Sequence, residues 1–260
     1  MYDFRDFGGY RDNYRLPSEA FNLDGNYLDE SIKGFRTLSV SGRELLAKDV
    51  SSETIPGRNG ALYIRSQYPT REITVKYRLK APTPELFRHY HEQLNELLYG
   101  DIHELRFADD PDFFFKGALT SADVPDTGRN TVVASLVFTC FDPFKYSDIK
   151  TKTATTSVLT PLELSPYNVL PEYISIDVAS ATSELTVSHG DKSITIDVGI
   201  NAGQTVVIGF NPFVITRDGT DITKYLRLSS DYEDFYIESN SLVTTNTGDT
   251  ITLAYREVRL

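Results

Sequence analysis

Apolar and polar residues alternate through residues 73–79, where Ile73, Val75, Tyr77 and Leu79 are separated by Thr74, Lys76 and Arg78. Period two puts the four apolar side chains on one face and predicts a strand with one buried side. The period then lengthens. Leu86, Phe87, Tyr90, Leu94, Leu97 and Leu98 recur at three-to-four spacing, which predicts an amphipathic helix. Thr83 is placed to cap it, Pro84 suits its first position and Glu85 its positive end. Gly100 is expected to close it in the left-handed conformation. Strands are expected again at 104–107 and 113–119, on either side of the acidic turn Ala108-Asp109-Asp110-Pro111-Asp112. A long β-rich run at 131–141 should pair with the preceding strand across a turn at 125–130.

Past residue 150 the pattern changes. Residues 151–160 are rich in threonine and serine, and Pro161, Pro166 and Pro171 follow closely, which reads as a linker. The remainder shows no helical period. Ile174, Ile176 and Val178 alternate with polar residues, as do Leu185 and Val187, then Ile194, Ile196 and Val198. Val206, Ile208 and Phe210 repeat the pattern, and Ile251, Leu253 and Tyr255 close it. The breaks, such as His189-Gly190-Asp191 and Asp218-Gly219, are turn-like. Many short alternating strands predict an antiparallel β-sandwich. The expected fold class is mainly β, with an α+β first domain over 1–148 and a β-sandwich second domain over 149–260. A length of 260 residues also favours two domains.

Charge and composition narrow the function classes. A net charge of -11 repels phosphate backbones and argues against sequence-independent nucleic-acid binding. No apolar run reaches membrane-spanning length, so no membrane insertion is expected. The polar, aromatic N-terminus lacks the apolar stretch of a secretory signal, which implies synthesis and folding in the cytoplasm. Cys140 is the single cysteine and sits in an apolar run, the setting of a buried inert thiol.

Candidate chemistry is sparse. His89 and His91 lie two apart on the expected helix and point to different faces, so they cannot grip one metal. His103 and His189 stand alone. The acids at Asp109, Asp110 and Asp112, and those at Asp231, Glu233 and Asp234, lack the glycine and distal glutamate of a calcium loop. Pro56-Gly57-Arg58-Asn59-Gly60 lacks the Lys-Ser/Thr ending of a phosphate loop and reads as a hairpin tip. No spacing suits zinc, and no cofactor, metal or catalytic residue is expected. A glycoside hydrolase would require two facing carboxylates, which spacing alone does not reveal. Tyr225, Tyr232, Phe235 and Tyr236 could serve a sugar-binding face in this tryptophan-free chain, but read better as core or interface residues.

One resemblance organises these observations. Gly34-Phe35-Arg36-Thr37-Leu38-Ser39-Val40-Ser41-Gly42-Arg43-Glu44-Leu45-Leu46 looks like a signature of the distal tail proteins of long-tailed bacteriophages (siphophages). Met1-Tyr2-Asp3-Phe4-Arg5 and Leu16-Pro17-Ser18 are similar to segments of that family. So are Pro56-Gly57-Arg58-Asn59-Gly60-Ala61 and Arg71-Glu72-Ile73-Thr74-Val75. Phe141-Asp142-Pro143-Phe144-Lys145-Tyr146-Ser147 resembles the motif that ends its first domain. These segments occur in family order over the first half, and the second half matches more weakly.

The resemblance implies a non-enzymatic structural protein at the tip of a phage or prophage tail, forming a six-fold ring. The first domain would build the ring, with a β-hairpin arm embracing the neighbouring subunit. The second would be a galectin-like sandwich. The ring would meet the tail tube (major tail) protein on one face and the tail-associated lysin or fibre protein on the other. It would also hold receptor-binding or baseplate proteins, while DNA passes without specific binding. A segment over 39–63 is the expected arm, with Arg43, Glu44, Arg58 and Asn59 as interface residues. The reading from another class is a carbohydrate-binding module or accessory lectin.

Overall fold

A computed structural model describes residues 16–123, 130–161, 167 and 169–260. The resemblance at Met1 to Arg5, most of the expected turn at 125–130, and Pro166 lie outside the described residues. The chain divides into two compact units, Met1–Pro143 and Phe144–Leu260.

The first unit contains strands β1 (Phe21–Leu23), β2 (Asn26–Tyr27), β3 (Phe35–Ser41), β4 (Asp49–Glu53), β5 (Leu62–Gln67), β6 (Arg71–Lys80), β7 (His103–Phe107), β8 (Asp110–Ala122) and β9 (Thr131–Cys140). Its helices are the single turn α1 (Leu28–Ser31) and the longer α2 (Pro84–Leu97). Seven strands lie side by side in the order β2-β1-β7-β8-β9-β6-β3, each antiparallel to its neighbours. β6 pairs with β9 along its whole length, from Arg71 opposite Cys140 to Lys80 opposite Thr131. β8 is long enough to serve two partners: Phe115 to Gly117 face β7, and Ala118 to Ala122 face β9.

The alternation holds along β6, where Ile73, Val75, Tyr77 and Leu79 are buried beside Leu136 and Phe138 of β9. Helix α2 closes over this core with Leu94, flanked by half-buried Phe87, Tyr90, Leu97 and Leu98, while Leu86 stays exposed. The Thr83 hydroxyl accepts from the Leu86 amide at 3.3 Å, the expected cap. The helix ends differently from expectation. Leu98 is its C-terminal cap, and Gly100 is not left-handed. A Cβ at Gly100 would lie 2.8 Å from the His103 imidazole, so this glycine serves close approach rather than unusual φ. The acidic turn is also shorter than expected, because Asp110, Pro111 and Asp112 already belong to β8.

The second unit begins with β10 (Lys145–Ser147), β11 (Lys150–Thr155) and β12 (Ser157–Leu159). It continues through β13 (Tyr173–Asp177), β14 (Leu185–His189), β15 (Lys192–Ile196), β16 (Thr205–Phe210), β17 (Phe213–Arg217) and β18 (Thr220–Asp221). It ends with β19 (Leu242–Thr245), β20 (Thr250–Tyr255) and β21 (Val258–Arg259). A six-stranded sheet, β11-β20-β13-β16-β17-β18, faces a four-stranded sheet, β12-β19-β14-β15. One core joins them: Ile174, Ile176, Val206, Ile208, Ile251 and Leu253 from the first sheet meet Leu185, Val187, Ile194, Ile196 and Val243 from the second. This is the β-sandwich that the alternation predicts.

The threonine-rich segment read as a linker is instead two strands. β11 pairs with β20 along all its residues, and β12 pairs with β19. Thr156, at φ +75°, turns the chain from one sheet to the other, its amide donating to the Asp249 carbonyl at 2.7 Å. β-branched threonine suits an exposed edge strand without supplying the apolar alternation by which a strand is recognised. The motif at 141–147 straddles the two units rather than closing the first, since β10 pairs with β21.

Candidate functional site

Among the described residues, β4 and β5 pair only with each other and stand apart from the seven-stranded path. Asp49 lies opposite Gln67, Val50 opposite Ser66 and Ser51 opposite Arg65; after a bulge, Ser52 faces Tyr63 and Glu53 faces Leu62. The bulge falls at Ile64, which has no partner in β4, so Val50 and Tyr63 lie on one face and Leu62 lies on the other. Val50, Leu62, Tyr63 and Ile64 are 62%, 47%, 60% and 53% exposed, and Leu45 is fully exposed just before the hairpin. An isolated two-stranded hairpin is marginal in water, and large apolar side chains left open on one make it a candidate contact surface. The hairpin comes later than the expected arm at 39–63, because Ser39 to Ser41 belong to β3 and pair with β6. β3 buries Phe35 and Val40 within its own unit, whereas the apolar residues of the hairpin stay open among the described residues.

The tip carries Gly57 at φ +80° and Gly60 at φ +83°, with Arg58 and Asn59 exposed between them. The Arg58 amide donates to the Ile55 carbonyl at 3.1 Å. The other two expected interface residues sit at the root. Glu44 is exposed and accepts from the Gly42 amide at 3.2 Å. Arg43 is engaged within its own unit. Its guanidinium grips Asp109 with two bonds of 2.7 and 2.9 Å, reaches Glu19 at 3.3 Å and lies 4.3 Å from the centre of the Phe107 ring. Burial opposes its charge, but the bond to Asp109 and the charges of Asp109, Glu19 and Glu44 hold its pKa above the ordinary arginine value.

Glycine at both ends of β3 has a packing reason. Gly34 is at φ +98° and Gly42 at φ +92°, and a Cβ would lie 2.0 Å from the Lys80 carbonyl oxygen or 1.9 Å from that of Glu72. Strand β6 presses its backbone against both ends of β3, and only glycine leaves room.

Arg71 was not among the residues expected from sequence, yet it organises this region. It is among the largest fully buried side chains. Its Nη1 donates to the Gly42 and Glu44 carbonyls at 2.8 and 3.0 Å, and its Nε donates to the Pro143 carbonyl at 3.0 Å. The guanidinium lies 5.3 Å from the centre of the Phe115 ring. Burial lowers its pKa from the ordinary arginine value. The available sequence signal is phase: Arg71 stands two positions before Ile73, on the buried side of the β6 alternation.

Other candidates resolve as structural. Burial pushes the Cys140 thiol up to about 12, beside Gly117. His103 Nδ1 lies 2.6 Å from Asp24. In the second unit, His189 Nδ1 lies 3.1 Å from the Leu242 carbonyl, and Nε2 accepts from the Glu238 amide at 3.0 Å. Both ring nitrogens are thereby used. Among the described residues, no group of three or more His, Cys, Asp or Glu is arranged to hold a metal, and no helix is long and apolar enough to cross a membrane. Of the four aromatics weighed for sugar binding, Phe235 is buried against Phe210, Tyr232 packs on Phe213, and Tyr225 lies under Lys224. Tyr236 lines a polar cleft of about 260 Å³ with His189, Asp191, Lys192, Asp234 and Glu238.

Known proteins share this arrangement. Residues 23–140 match the family model of the phage tail protein RIFT-related domain, and residues 167–258 match that of the siphovirus-type tail component, C-terminal domain. The distal tail protein of Bacillus phage SPP1 is 28% identical over 247 residues, covering 92% of this chain and 96% of the relative. The solved structure of SPP1 Dit (gp 19.1), described as a hub adsorption apparatus of phages infecting Gram-positive bacteria, superposes with a TM-score of 0.77. It does so at 22% identity, over 93% of this chain and 99% of that one. A chain of the phage P2 baseplate in its activated conformation with Ca superposes with a TM-score of 0.54 at 10% identity, covering 87% of this chain and 91% of that one. Two family models in tandem, a relative matched nearly end to end and a shared two-unit fold agree: this chain belongs to the siphophage distal tail protein family.

Proposed function

We propose that this tail-tip protein is a non-enzymatic hub subunit that closes a six-fold ring by laying its β4–β5 hairpin on the neighbouring copy. The observation that carries this reading is the hairpin's set of large apolar side chains, Val50, Leu62, Tyr63 and Ile64, which stay about half exposed or more on a two-stranded sheet that pairs with no other strand among the described residues. A ring uses two different surfaces of each subunit, and an arm that reaches its neighbour through both backbone edge and apolar side chains fixes the rotation between them. Arg58 and Asn59 at the tip and Glu44 at the root are the polar contacts of that interface, while Arg43 holds the root in place. The first unit would join the tail tube protein to the tail-associated lysin or fibre protein, and the second unit would present receptor-binding or baseplate proteins. The net charge of -11 suits a channel through which DNA passes without adhering. The protein would be made in the host cytoplasm and act at the virion tail tip.

The test is to replace the hairpin with a short glycine-serine turn and, separately, to make Leu62→Asp with Ile64→Asp. Native mass spectrometry and negative-stain microscopy of the full chain should show discrete hexameric rings, and both variants should remain folded monomers. Rings persisting in the variants would refute the arm. A monomeric parent protein that binds glycans would instead favour the carbohydrate-binding reading, acting at the cleft lined by Asp191, Lys192 and Tyr236.

A further inference from the structure

A buried guanidinium without a carboxylate hydrogen bond is an expensive component, because desolvation of its charge is offset only by dipoles. Arg71 is in that position: its hydrogen-bond partners are the backbone carbonyls of Gly42, Glu44 and Pro143. Those carbonyls belong to two distant places on the chain. Gly42 and Glu44 begin the segment that leads into the hairpin, and Pro143 is the last residue of the first unit. A planar fork bonded to carbonyls reads position and direction, not side-chain identity. The strand that carries Arg71 is held on both sides by β3 and β9, so the fork itself is fixed.

We infer that Arg71 is a positioning residue that sets the root of the arm and the exit from the first unit against one another through a single side chain. A change of direction at residues 42–44 then cannot occur without disturbing residue 143. Arg43, whose partners Asp109 and Glu19 both lie in the first unit's body, holds the root but makes no bond to the exit. This inference rests on the arm reading above for its consequence in assembly, though the tie itself does not.

Hydrogen exchange on the full chain separates the two. In Arg71→Met, amides at 42–46 and 144–145 should both exchange about tenfold or more faster than in the parent protein. Val75→Ala, which loosens the same strand without touching the fork, supplies the control at matched thermal stability and should leave both segments unchanged relative to the rest of β6. Arg71→Lys, keeping charge but losing the fork, should behave as Arg71→Met at one segment or both. Acceleration at only one segment in Arg71→Met, or equal acceleration in Val75→Ala, would overturn the tie. Ring yield is the second readout: Arg71→Met should form fewer or irregular rings while Val75→Ala forms normal ones, and normal rings from Arg71→Met would remove the assembly role. If the parent protein forms no rings, the arm reading fails and the exchange comparison still decides on Arg71.

Discussion

Two antiparallel hairpins of this chain both carry aliphatic side chains and have opposite surroundings. In β14–β15, Leu185, Val187, Ile194 and Ile196 are all fully buried against the facing sheet. In β4–β5, Val50, Leu62 and Ile64 remain about half exposed or more. Burying an aliphatic side chain contributes about 1.5–3 kcal/mol. The sandwich hairpin collects that stabilisation within its own chain, and the arm hairpin leaves it uncollected. Aliphatic residues therefore favour a strand without specifying what covers them. Where the cover is missing from the monomer, stability and assembly become separable properties, and substitutions can show it.

The largest expected effect comes from making the same truncation in both hairpins. Ile194→Ala should destabilise the second unit by about 2–5 kcal/mol, through lost burial and the cavity left behind. Ile64→Ala should change the stability of the monomer by less than about 0.5 kcal/mol. Calorimetry on dilute protein measures both. A large loss in Ile64→Ala would mean the arm is already packed in the monomer, and the contrast between the hairpins would collapse.

A middle-sized effect tests whether the root directs the arm. Gly42→Ala forces a Cβ against the Glu72 carbonyl at a positive φ, so it should cost about 1–3 kcal/mol or more. The strain is local to the junction of β3 with the arm. It should therefore reduce ring yield at temperatures where the variant is still folded by circular dichroism. Gly57→Ala at the tip has open space around its Cβ position and should bear only the cost of its φ. Equal losses in the two variants would show that the root carries no special constraint.

What was legible in the sequence follows the same division. Strand β6, helix α2 and the sandwich strands were readable because each buries one face inside its own unit, and burial is what imposes a period. The segment expected as an arm spans 39–63, whereas the isolated hairpin spans Asp49–Gln67, because Ser39 to Ser41 continue β3 and the hairpin's apolar residues follow no buried period of their own unit. Strands β11 and β12 were misread as linker because edge threonines carry propensity without apolar alternation. Arg71 carries little local sequence signal because its hydrogen-bond partners are carbonyls, which every residue possesses. Only its place in the buried phase of β6 sets it apart. The bonds of Arg43 to Asp109 and Glu19 join residues 66 and 24 positions away, a separation no local pattern encodes.

The smallest effect separates a pinned turn from an unpinned one. In the second unit, Asp218 and Gly219 at φ +47° and +79° make the two-residue turn between β17 and β18, with the twist that suits a hairpin. The Asp218 carboxylate accepts from the Thr205 amide at 2.9 Å and from the Gln204 side chain at 2.8 Å. The Thr205 bond first, then the Gln204 bond, hold its pKa below the ordinary aspartate value, with Arg217 adding a little. A carboxyl whose pKa is depressed on folding contributes stability above its unfolded value of about 4, and that contribution is lost as pH falls through the folded value. Because Asp218 is solvent-exposed, the contribution is small. Asp218→Asn keeps a residue tolerant of the left-handed turn but removes the titration. Its melting temperature should sit slightly below that of the parent protein at neutral pH, and the two should converge in acid. The arm tip contains no aspartate or glutamate between Pro56 and Gly60, so Arg58→Ala or Asn59→Ala should shift melting by the same small amount at every pH. A gap between Asp218→Asn and the parent that widens in acid would reverse the sign of the argument and show that the carboxylate strains the turn instead of holding it.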